Sequence, residues 1–193
     1  PGEFNVANAA LAVLMVLDSG VAVDALQRAL DEHDPLTTSV PGRMQLVGTA
    51  PTSLVDFAHN PDALVRSLRS VTPEDREGRV IVVFGATGQR DTTKRPVMGR
   101  VAAEEADVVI VTDDDPHSEE PAPIREQVAA GAREAVANGA RATDVLVIEP
   151  RATAIRTAVR MARPEDSIIV AGRGHETAQD FNGVSVPLDD RVE

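Results

Sequence analysis

The sequence contains no cysteine, tryptophan or tyrosine, and aromatic residues make up 2% of its 193 positions. Without cysteine the chain has neither a disulfide framework nor a thiolate zinc site, which fits a reducing compartment. So few aromatic rings argue against a platform for stacking single-stranded nucleic acid. Because no long apolar run and no amino-terminal signal pattern is present, we expect a cytoplasmic protein that does not contact a membrane.

Positive charge is scarce as well. The chain carries 31 acidic residues against 19 Lys and Arg, and its formal net charge is −12. Binding to a phosphate backbone needs a basic face, so nucleic acid is not an expected partner. Lys94 is the single lysine, and no Gly-Lys-Ser/Thr element exists to cradle a triphosphate. By itself, the chain is therefore predicted to run no ATP chemistry of the P-loop type.

Apolar runs alternate with helical patterns after about residue 50. Five runs have the length and β-branched composition of strands, namely 53–58, 80–84, 108–111, 145–148 and 167–170. Helical patterns separate them, and this alternation predicts an α/β fold with a doubly wound, mostly parallel sheet. Residues 184–186 are predicted to form a short edge hairpin strand.

The amino-terminal segment follows a different pattern. Residues 5–18 and 24–32 have apolar side chains at helical spacing, and Pro41-Gly42 breaks the chain after them. This helical pair has too few apolar residues to form a domain by itself. We therefore predict a helical segment over residues 1–42 and one main domain over residues 43–193.

Three predicted strands run into loops that are rich in glycine or in polar side chains. The loops are 85–91, 112–117 and 171–176. Open α/β sheets bind ligands at the carboxyl ends of their strands, so the three loops predict one site. Arg90 suits a substrate carboxylate, although a tight turn explains the surrounding glycines equally well.

Acidic residues, histidine and asparagine add further candidates. Residues 113–115 are three successive aspartates, which suit a substrate ammonium, a metal ion or an ordinary solvated loop. Asp56 and His59 flank a predicted helix start, where anions are favoured. Asn8 lies on the first predicted helix, either as an ordinary polar residue or as a hydrogen-bonding partner for the edge of a nucleotide base.

Six short motifs occur along the chain. They are Gly2-Glu3-Phe4-Asn5-Val6-Ala7-Asn8, Pro41-Gly42-Arg43-Met44, residues 55–64, Arg90-Asp91, Lys94-Arg95-Pro96 and Gly172-Arg173-Gly174-His175-Glu176. Together they resemble the carboxyl-terminal part of the Mur ligases, and more closely the UDP-N-acetylmuramoyl-tripeptide synthetase (MurE) branch of that family. The last motif distinguishes this branch from its sister ligases, and the resemblance covers essentially the whole chain.

The resemblance implies a Rossmann-like, amino-acid-binding domain, preceded over residues 1–42 by the helical end of a central ATP-binding domain. It implies an ATP-dependent ligase that adds the third amino acid to UDP-N-acetylmuramoyl-L-alanyl-D-glutamate in peptidoglycan synthesis. The implied partners of this monomeric enzyme are that UDP-muramoyl dipeptide, ATP and a basic L-amino acid, with Mg²⁺ as cofactor. Because the family's P-loop is not in the sequence, the resemblance implies no catalytic residue, no metal ligand and no activity within this chain alone.

The family's binding positions transfer to this sequence residue by residue. The positions that bind the incoming amino acid are Arg90, Asp114, Asp115, Pro116, His117, Gly172 and Glu176. Those at or near ATP are Asn8, Arg43, Asp56 and His59. In the implied reaction, ATP phosphorylates the carboxylate of the dipeptide and the amine of the amino acid then displaces phosphate, so the domain's task is mainly positioning.

One departure from the family pattern bears on which amino acid is added. Enzymes of the family that add meso-diaminopimelate have Asp-Asn-Pro-Arg where this chain has Asp114-Asp115-Pro116-His117. A neutral imidazole is a poor replacement for a forked guanidinium, and Asp115 adds a negative charge. We therefore expect L-lysine or L-ornithine. The alternatives are a diaminopimelate-adding enzyme, a ligase similar to folylpolyglutamate synthase, and a stand-alone amino-acid-binding module.

Overall fold

The structure is a computed structural model that describes residues 3–33, 40–71 and 77–193. The chain separates into two compact units, residues 1–40 and 41–193. This division lies close to the boundary predicted at residue 42. The assignment of the first segment to a neighbouring ATP-binding domain stays a prediction.

The first unit is a pair of helices, α1 (Glu3–Asp18) and α2 (Val23–Glu32). Gly20 has φ +92°, a left-handed conformation that ends α1 without steric cost. Large apolar side chains of α1 are exposed, among them Leu11, Leu14 and Met15. The predicted helical pair is confirmed. No helix in the described ranges is both long enough and apolar enough to cross a membrane.

The second unit is built on a six-stranded sheet flanked by helices. The strands are β1 (Gln45–Thr49), β2 (Thr52–Asp56), β3 (Val80–Phe84), β4 (Val108–Val111), β5 (Asp144–Val147) and β6 (Ser167–Ala171). Their order is β1-β2-β6-β3-β4-β5, with β1 antiparallel to β2 and the other neighbouring pairs parallel. The helices are α3 (Pro61–Val71), α4 (Lys94–Glu105), α5 (Pro121–Ala137) and α6 (Arg151–Met161). The predicted doubly wound, mostly parallel α/β fold is therefore confirmed.

Burial follows position in the sheet. Every residue of β3, β4 and β6 is buried, whereas the edge strands β1 and β5 are partly exposed. Runs of Val and Ile are expected in parallel strands that are covered on both faces, which is why these central strands were predictable. The sequence did not predict β1, because its residues are mixed in polarity and its pairing with β2 shifts register between Leu46 and Gly48.

The strand predicted over residues 53–58 is β2, which ends two residues earlier, at Asp56. The chain then turns into α3, where Asn60 Oδ1 accepts a hydrogen bond from the N–H of Ala63 at 2.9 Å. Asn60 therefore caps the helix and Pro61 takes its first position.

Helices cover both faces of the sheet. One apolar cluster joins α3, α4 and α5 to the sheet through side chains such as Leu68, Met98 and Val128. A second cluster joins α6 to the sheet through Ile155 and its neighbours. Successive residues of β3 alternate between the two clusters, which places the clusters on opposite faces because a strand's side chains alternate.

The last two strands form a separate antiparallel hairpin, β7 (Ala178–Phe181) and β8 (Val184–Pro187). Its turn residues Asn182 and Gly183 have φ +55° and +79°, as a two-residue hairpin turn requires. The hairpin strand predicted at 184–186 is β8. The sequence did not predict β7, since Ala-Gln-Asp-Phe contains no apolar run.

Candidate functional site

The loops singled out in the sequence are adjacent in the structure. Strands β2, β6, β3 and β4 are parallel neighbours, so the loops that follow them emerge at one edge of the sheet. The N–H of Gly88, after β3, donates to the carbonyl of Asp115, after β4, at 2.8 Å. A Cβ on Gly172, after β6, would lie 2.6 Å from Oδ2 of Asp114. These loops therefore form one packed cluster.

Two of the motifs pack directly against each other, backbone to backbone. Gly42 and Gly174 have φ +65° and +55°, and a Cβ on Gly174 would lie 2.6 Å from the carbonyl oxygen of Gly42. A Cβ on Gly42 would overlap the backbone of Gly174 and His175. Both positions therefore need glycine, and the contact holds the loop before β1 on the loop after β6.

The three successive aspartates are largely paired within the protein. Asp113 binds the guanidinium of Arg125, and Asp115 Oδ1 accepts a hydrogen bond from Arg173 Nη1 at 2.6 Å. Burial raises the pKa of the Asp113 carboxyl in spite of the arginine beside it. Asp114 Oδ1 accepts from the N–H of Asp115 at 2.7 Å. Arginines therefore offset the charge of two of the three aspartates in this turn.

Arg173 connects this turn to the loop after β6. Its side chain is fully buried and also contacts the carboxylate of Glu176 at 3.4 Å and the carbonyl of Ala178. Glu176 is half-buried, and burial raises the pKa of its carboxyl, with a smaller contribution from the nearby Asp115. Arg173 thus holds two of the predicted amino-acid-binding residues in place.

A second buried arginine, Arg95, fixes the neighbouring loop. Its guanidinium donates to both carboxylate oxygens of Glu119 at 2.7 and 2.8 Å, and to the side chain of Gln127 at 2.9 Å. Glu119 also accepts from the N–H of Gln89 at 3.0 Å. The Arg95 hydrogen bonds, with this one, lower the pKa of Glu119 to about 2.

A third buried arginine, Arg151, begins α6. It donates to both oxygens of Asp190 at 2.8 and 2.7 Å, and to the backbone carbonyls of Asp113 and Ala171 at 3.1 and 3.0 Å. These bonds join the last described segment of the chain to the ends of β4 and β6. The sequence reasoning assigned no role to Arg125, Arg151 or Asp190.

Comparison with known proteins now identifies the family. Residues 42–174 match the family described as Mur ligase, glutamate ligase domain. The chain belongs to the Mur ligase family. A Corynebacterium glutamicum protein named UDP-N-acetylmuramoyl-L-alanyl-D-glutamate--2,6-diaminopimelate ligase is 45% identical, over 100% of this chain and 37% of that protein. A Leifsonia xyli subsp. xyli protein named UDP-N-acetylmuramyl-tripeptide synthetase is 39% identical, over 98% of this chain and 36% of that protein.

Solved structures of Mur ligases and their relatives share the fold. One, of a UDP-N-acetylmuramoyl-L-alanyl-D-glutamate--2,6-diaminopimelate ligase, is 34% identical with a TM-score of 0.68, over 99% of this chain and 37% of that one. A folylpolyglutamate synthase/dihydrofolate synthase from Yersinia pestis CO92 is 24% identical with a TM-score of 0.55, over 73% of this chain, and shows likeness of fold alone. The family predicted from the motifs is confirmed, and this chain spans about 37% of the length of the curated relatives it matches.

In this Mur ligase chain, Arg90 is the predicted amino-acid-binding residue with the most freedom. It is exposed on the loop after β3, and no side chain in the described ranges pairs with it. The preceding residue, Gln89, ties this loop to Ser118 through a 2.5 Å hydrogen bond. The Arg90 guanidinium is therefore available to an anion from outside the chain.

The other predicted amino-acid positions are tied to their surroundings. Pro116 is buried against Gly88, where a Cβ would overlap its carbonyl. Nδ1 of His117 lies 2.9 Å from Oδ2 of Asp180 on strand β7, so the hairpin holds this imidazole. The sequence reasoning missed Asp180, and no signal in the sequence links it to His117.

The predicted ATP-side residues of the second unit surround Phe57. The guanidinium of Arg43 lies 4.3 Å from the Phe57 ring centroid, and the ring of His59 packs edge-on at 4.9 Å. Both side chains are exposed. Asp56 is buried, and its carboxylate accepts from the N–H of Met44 at 3.0 Å and the hydroxyl of Ser67 at 2.7 Å.

Asn8 lies exposed on α1, in the first unit, and its grouping with these residues stays a prediction. Among the described residues, no group of three or more His, Asp or Glu side chains is placed to hold a metal ion.

Proposed function

We propose that this chain is the amino-acid-binding, carboxyl-terminal part of an ATP-dependent ligase that adds the third residue to UDP-N-acetylmuramoyl-L-alanyl-D-glutamate in peptidoglycan synthesis. Support comes from relatives, 43–45% identical across the whole chain, whose names state a ligase acting on that dipeptide. Residues 1–42 would then be the helical end of the preceding ATP-binding domain, and the intact enzyme a cytoplasmic monomer.

The reaction would proceed in two steps in the intact enzyme. The free carboxylate of the dipeptide takes the γ-phosphoryl group of ATP, which gives an acyl phosphate and ADP. The amine of the incoming amino acid attacks the acyl carbon, an amide bond forms, the amine loses a proton, and phosphate leaves. This domain contributes by fixing the amine at the acyl carbon, which is catalysis by positioning.

The observation that carries the proposal is the exposed guanidinium of Arg90, which has no described partner beside a loop cluster whose acids are mostly paired. A forked guanidinium binds a carboxylate through two parallel hydrogen bonds, so we assign Arg90 to the α-carboxylate of the amino acid. Glu176, half-buried and held by Arg173, accepts hydrogen bonds from the amino group.

The remaining amino-acid positions would shape the wall of the site. Asp114, Asp115, Pro116 and Gly172 lie in loops held together by hydrogen bonds and close backbone contacts. Because Arg173 offsets the charge of Asp115, this wall acts through shape more than through charge. His117 contributes a side chain whose Nδ1 is already engaged.

On the ATP side, Arg43 and His59 are the exposed groups of the second unit that suit a phosphate. Asn8, which is exposed on α1, is a further residue that we propose for ATP binding. Asp56 acts indirectly, because its carboxylate holds the backbone of Met44 next to Arg43. The described residues offer no cluster of Mg²⁺ ligands, so the ion would be held by other parts of the enzyme.

The amino acid that we propose is L-lysine or L-ornithine. At the place where diaminopimelate-adding relatives are expected to have an arginine, this chain has His117, bonded to an acid. The second candidate is meso-diaminopimelate, which is favoured by the names of the 43–45% identical relatives. The two candidates differ in one carboxylate at the far end of the side chain.

A competition assay with the intact ligase decides between them. We expect L-lysine or L-ornithine to be incorporated about a hundredfold faster than meso-diaminopimelate at equal concentration. Equal incorporation, or preference for diaminopimelate, would show that the basic amino acid is the wrong assignment. The chain alone should turn over no ATP, and measurable turnover by the purified chain would contradict that part of the proposal.

A further inference from the structure

We propose that Asp180, on strand β7, recognises the far end of the incoming amino acid and selects a side chain that ends in an ammonium. This inference rests on the proposed function, since it names the residue that would confer the preference for lysine or ornithine. It assigns a binding role to the β7–β8 hairpin, which none of the sequence motifs included.

The hairpin is fastened to the loop after β4, which carries the predicted amino-acid positions. The N–H of Asp180 donates to Oδ1 of Asp115 at 2.9 Å, and the N–H of His117 donates to the carbonyl of Asp180 at 3.1 Å. The Gln179 side-chain amide donates to the carbonyl of Asp114 at 2.6 Å. Asp180 is thus anchored beside residues 114–117 by its own backbone, while its side chain stays partly open.

Asp180 differs from the neighbouring acidic residues in the partner that its carboxylate has. Asp113 and Asp115 each bind a guanidinium, and Glu176 lies 3.4 Å from the guanidinium that Asp115 also uses. Asp180 has an imidazole as its side-chain partner, at 2.9 Å, and 42% of its side chain is exposed. Unlike Asp113, Asp115 and Glu176, Asp180 has no guanidinium partner among the residues that the structure describes.

The Asp180 carboxylate has room for a further donor. Oδ2 accepts from His117 Nδ1, and Oδ1 accepts from the N–H of Gly183 at 2.7 Å. An ionised carboxylate offers about four acceptor positions, so roughly two remain for a ligand. His117, with 29% of its side chain exposed, makes no hydrogen bond through Nε2 to any residue in the described ranges.

The same arrangement explains how the site would favour lysine or ornithine over diaminopimelate. An ammonium at the end of a lysine or ornithine side chain donates a charge-assisted hydrogen bond to the carboxylate of Asp180. The second carboxylate of diaminopimelate would meet like charge there and no guanidinium, which disfavours that substrate. His117 then acts as a positioning residue, since its Nδ1 fixes the Asp180 carboxylate.

The test is a comparison of two amino acids in the intact ligase. L-Norleucine has the same straight side chain as L-lysine but lacks the ammonium. Asp180→Asn keeps the shape of the side chain. Its Oδ1 can still accept from the N–H of Gly183, and its amide NH2 can donate to Nδ1 of His117 in the other imidazole tautomer, so the hairpin contacts survive while the charge is lost. We expect Asp180→Asn to lower kcat/KM for lysine by about tenfold to a hundredfold, and to leave kcat/KM for norleucine within about twofold.

Two further variants complete the design. Asp180→Glu keeps the charge, so kcat/KM for lysine should stay above kcat/KM for norleucine. Asp189→Asn, which removes a carboxylate paired with Arg191 on the neighbouring segment, is the matched control. It should leave kcat/KM unchanged for both lysine and norleucine.

The outcomes separate this inference from the proposed function. Suppose that wild type uses lysine but that Asp180→Asn lowers kcat/KM for lysine and norleucine equally, or lowers neither. Asp180 is then structural, and the inference is wrong while the proposed function stands. If wild type uses neither lysine nor ornithine, the proposed substrate is wrong and the inference falls with it.

Discussion

Ionisable side chains at the carboxyl edge of the sheet fall into two groups that behave differently. In the buried group, each arginine binds a carboxylate of the chain itself, and the pairs are Arg95–Glu119, Arg125–Asp113, Arg151–Asp190 and Arg173–Asp115. In the open group, Arg43, Arg90 and His59 are exposed. None of these three has a carboxylate partner among the described residues.

The difference in burial and pairing indicates a different role for each group. Burying an arginine costs desolvation that its partners must offset, so a buried pair is informative about loop geometry and much less about ligands. An exposed guanidinium keeps its hydration and can exchange water for a ligand carboxylate or phosphate. A charged residue near a site is thus a binding candidate only once its pairing is known.

The largest expected effect comes from breaking one buried pair. Arg151→Met leaves the buried carboxylate of Asp190 without its guanidinium, and two backbone carbonyls lose a donor. We expect the free energy of unfolding to fall by about 3–5 kcal/mol, measured by urea denaturation. Arg156→Met on the same helix removes an exposed pair with Glu193 and should cost less than about 1 kcal/mol. Equal losses in the two variants would contradict the distinction between buried and open charges.

A second prediction concerns the loop that carries Arg43, a member of the open group. It tests whether close backbone packing holds this loop in place. Gly42→Ala places a Cβ into the backbone of Gly174 at a position with φ +65°. We expect a loss of about 2–4 kcal/mol in the free energy of unfolding, from overlap and from the left-handed backbone together. Gly139→Ala is the matched control, with φ +88° and nothing within 4 Å of the added Cβ. A Gly42→Ala variant no less stable than Gly139→Ala would show that the loop carrying Arg43 moves freely.

The smallest effect concerns pH. Arg95 lowers the pKa of Glu119 to about 2, so the pair stabilises the fold while Glu119 is ionised. The contribution is complete above the unfolded value of 4.5 and is lost as the pH falls towards about 2. We expect wild type to be more stable than Glu119→Gln at pH 7, with the difference shrinking between pH 4.5 and pH 2 in urea titrations.

The control for that titration is Glu126→Gln, which removes an exposed carboxylate paired with Arg133. Its free energy of unfolding at pH 7 should be close to that of wild type, because exposed ion pairs contribute little to stability. A difference between wild type and Glu119→Gln that does not change with pH would rule out the ion pair as its cause.

The central strands and the family could be predicted from the sequence, because apolar runs and glycine-rich motifs are local patterns. Strand β1 could not, since its place in the sheet comes from pairing with β2 and not from its own composition. The charge of the acidic turn could not either, because its compensating arginines lie elsewhere in the chain.

Three of the four buried, paired arginines did leave a signal in the sequence. In three helices a buried arginine lies near the start of the buried face, with buried residues three, four and seven positions later. The sets are Arg95 with Met98, Gly99 and Ala102; Arg125 with Val128, Ala129 and Ala132; and Arg151 with Ala154, Ile155 and Ala158. A helix that follows a parallel strand begins at the strand's carboxyl end, so an arginine on the inner face of its first turns can reach the loops there.

The most direct test of the account measures catalysis and stability on the same two variants of the intact ligase. Arg90→Ala should lower kcat/KM for the amino acid by about 30-fold to 1,000-fold, equivalent to about 2–4 kcal/mol, and leave the free energy of unfolding within about 0.5 kcal/mol of wild type. Arg95→Ala, five residues away, should instead lower the free energy of unfolding by about 3 kcal/mol or more. An Arg90→Ala variant with unchanged kinetics for the amino acid, or with a loss of stability as large as that of Arg95→Ala, would contradict the claim that open charges bind substrate and buried charges build the site.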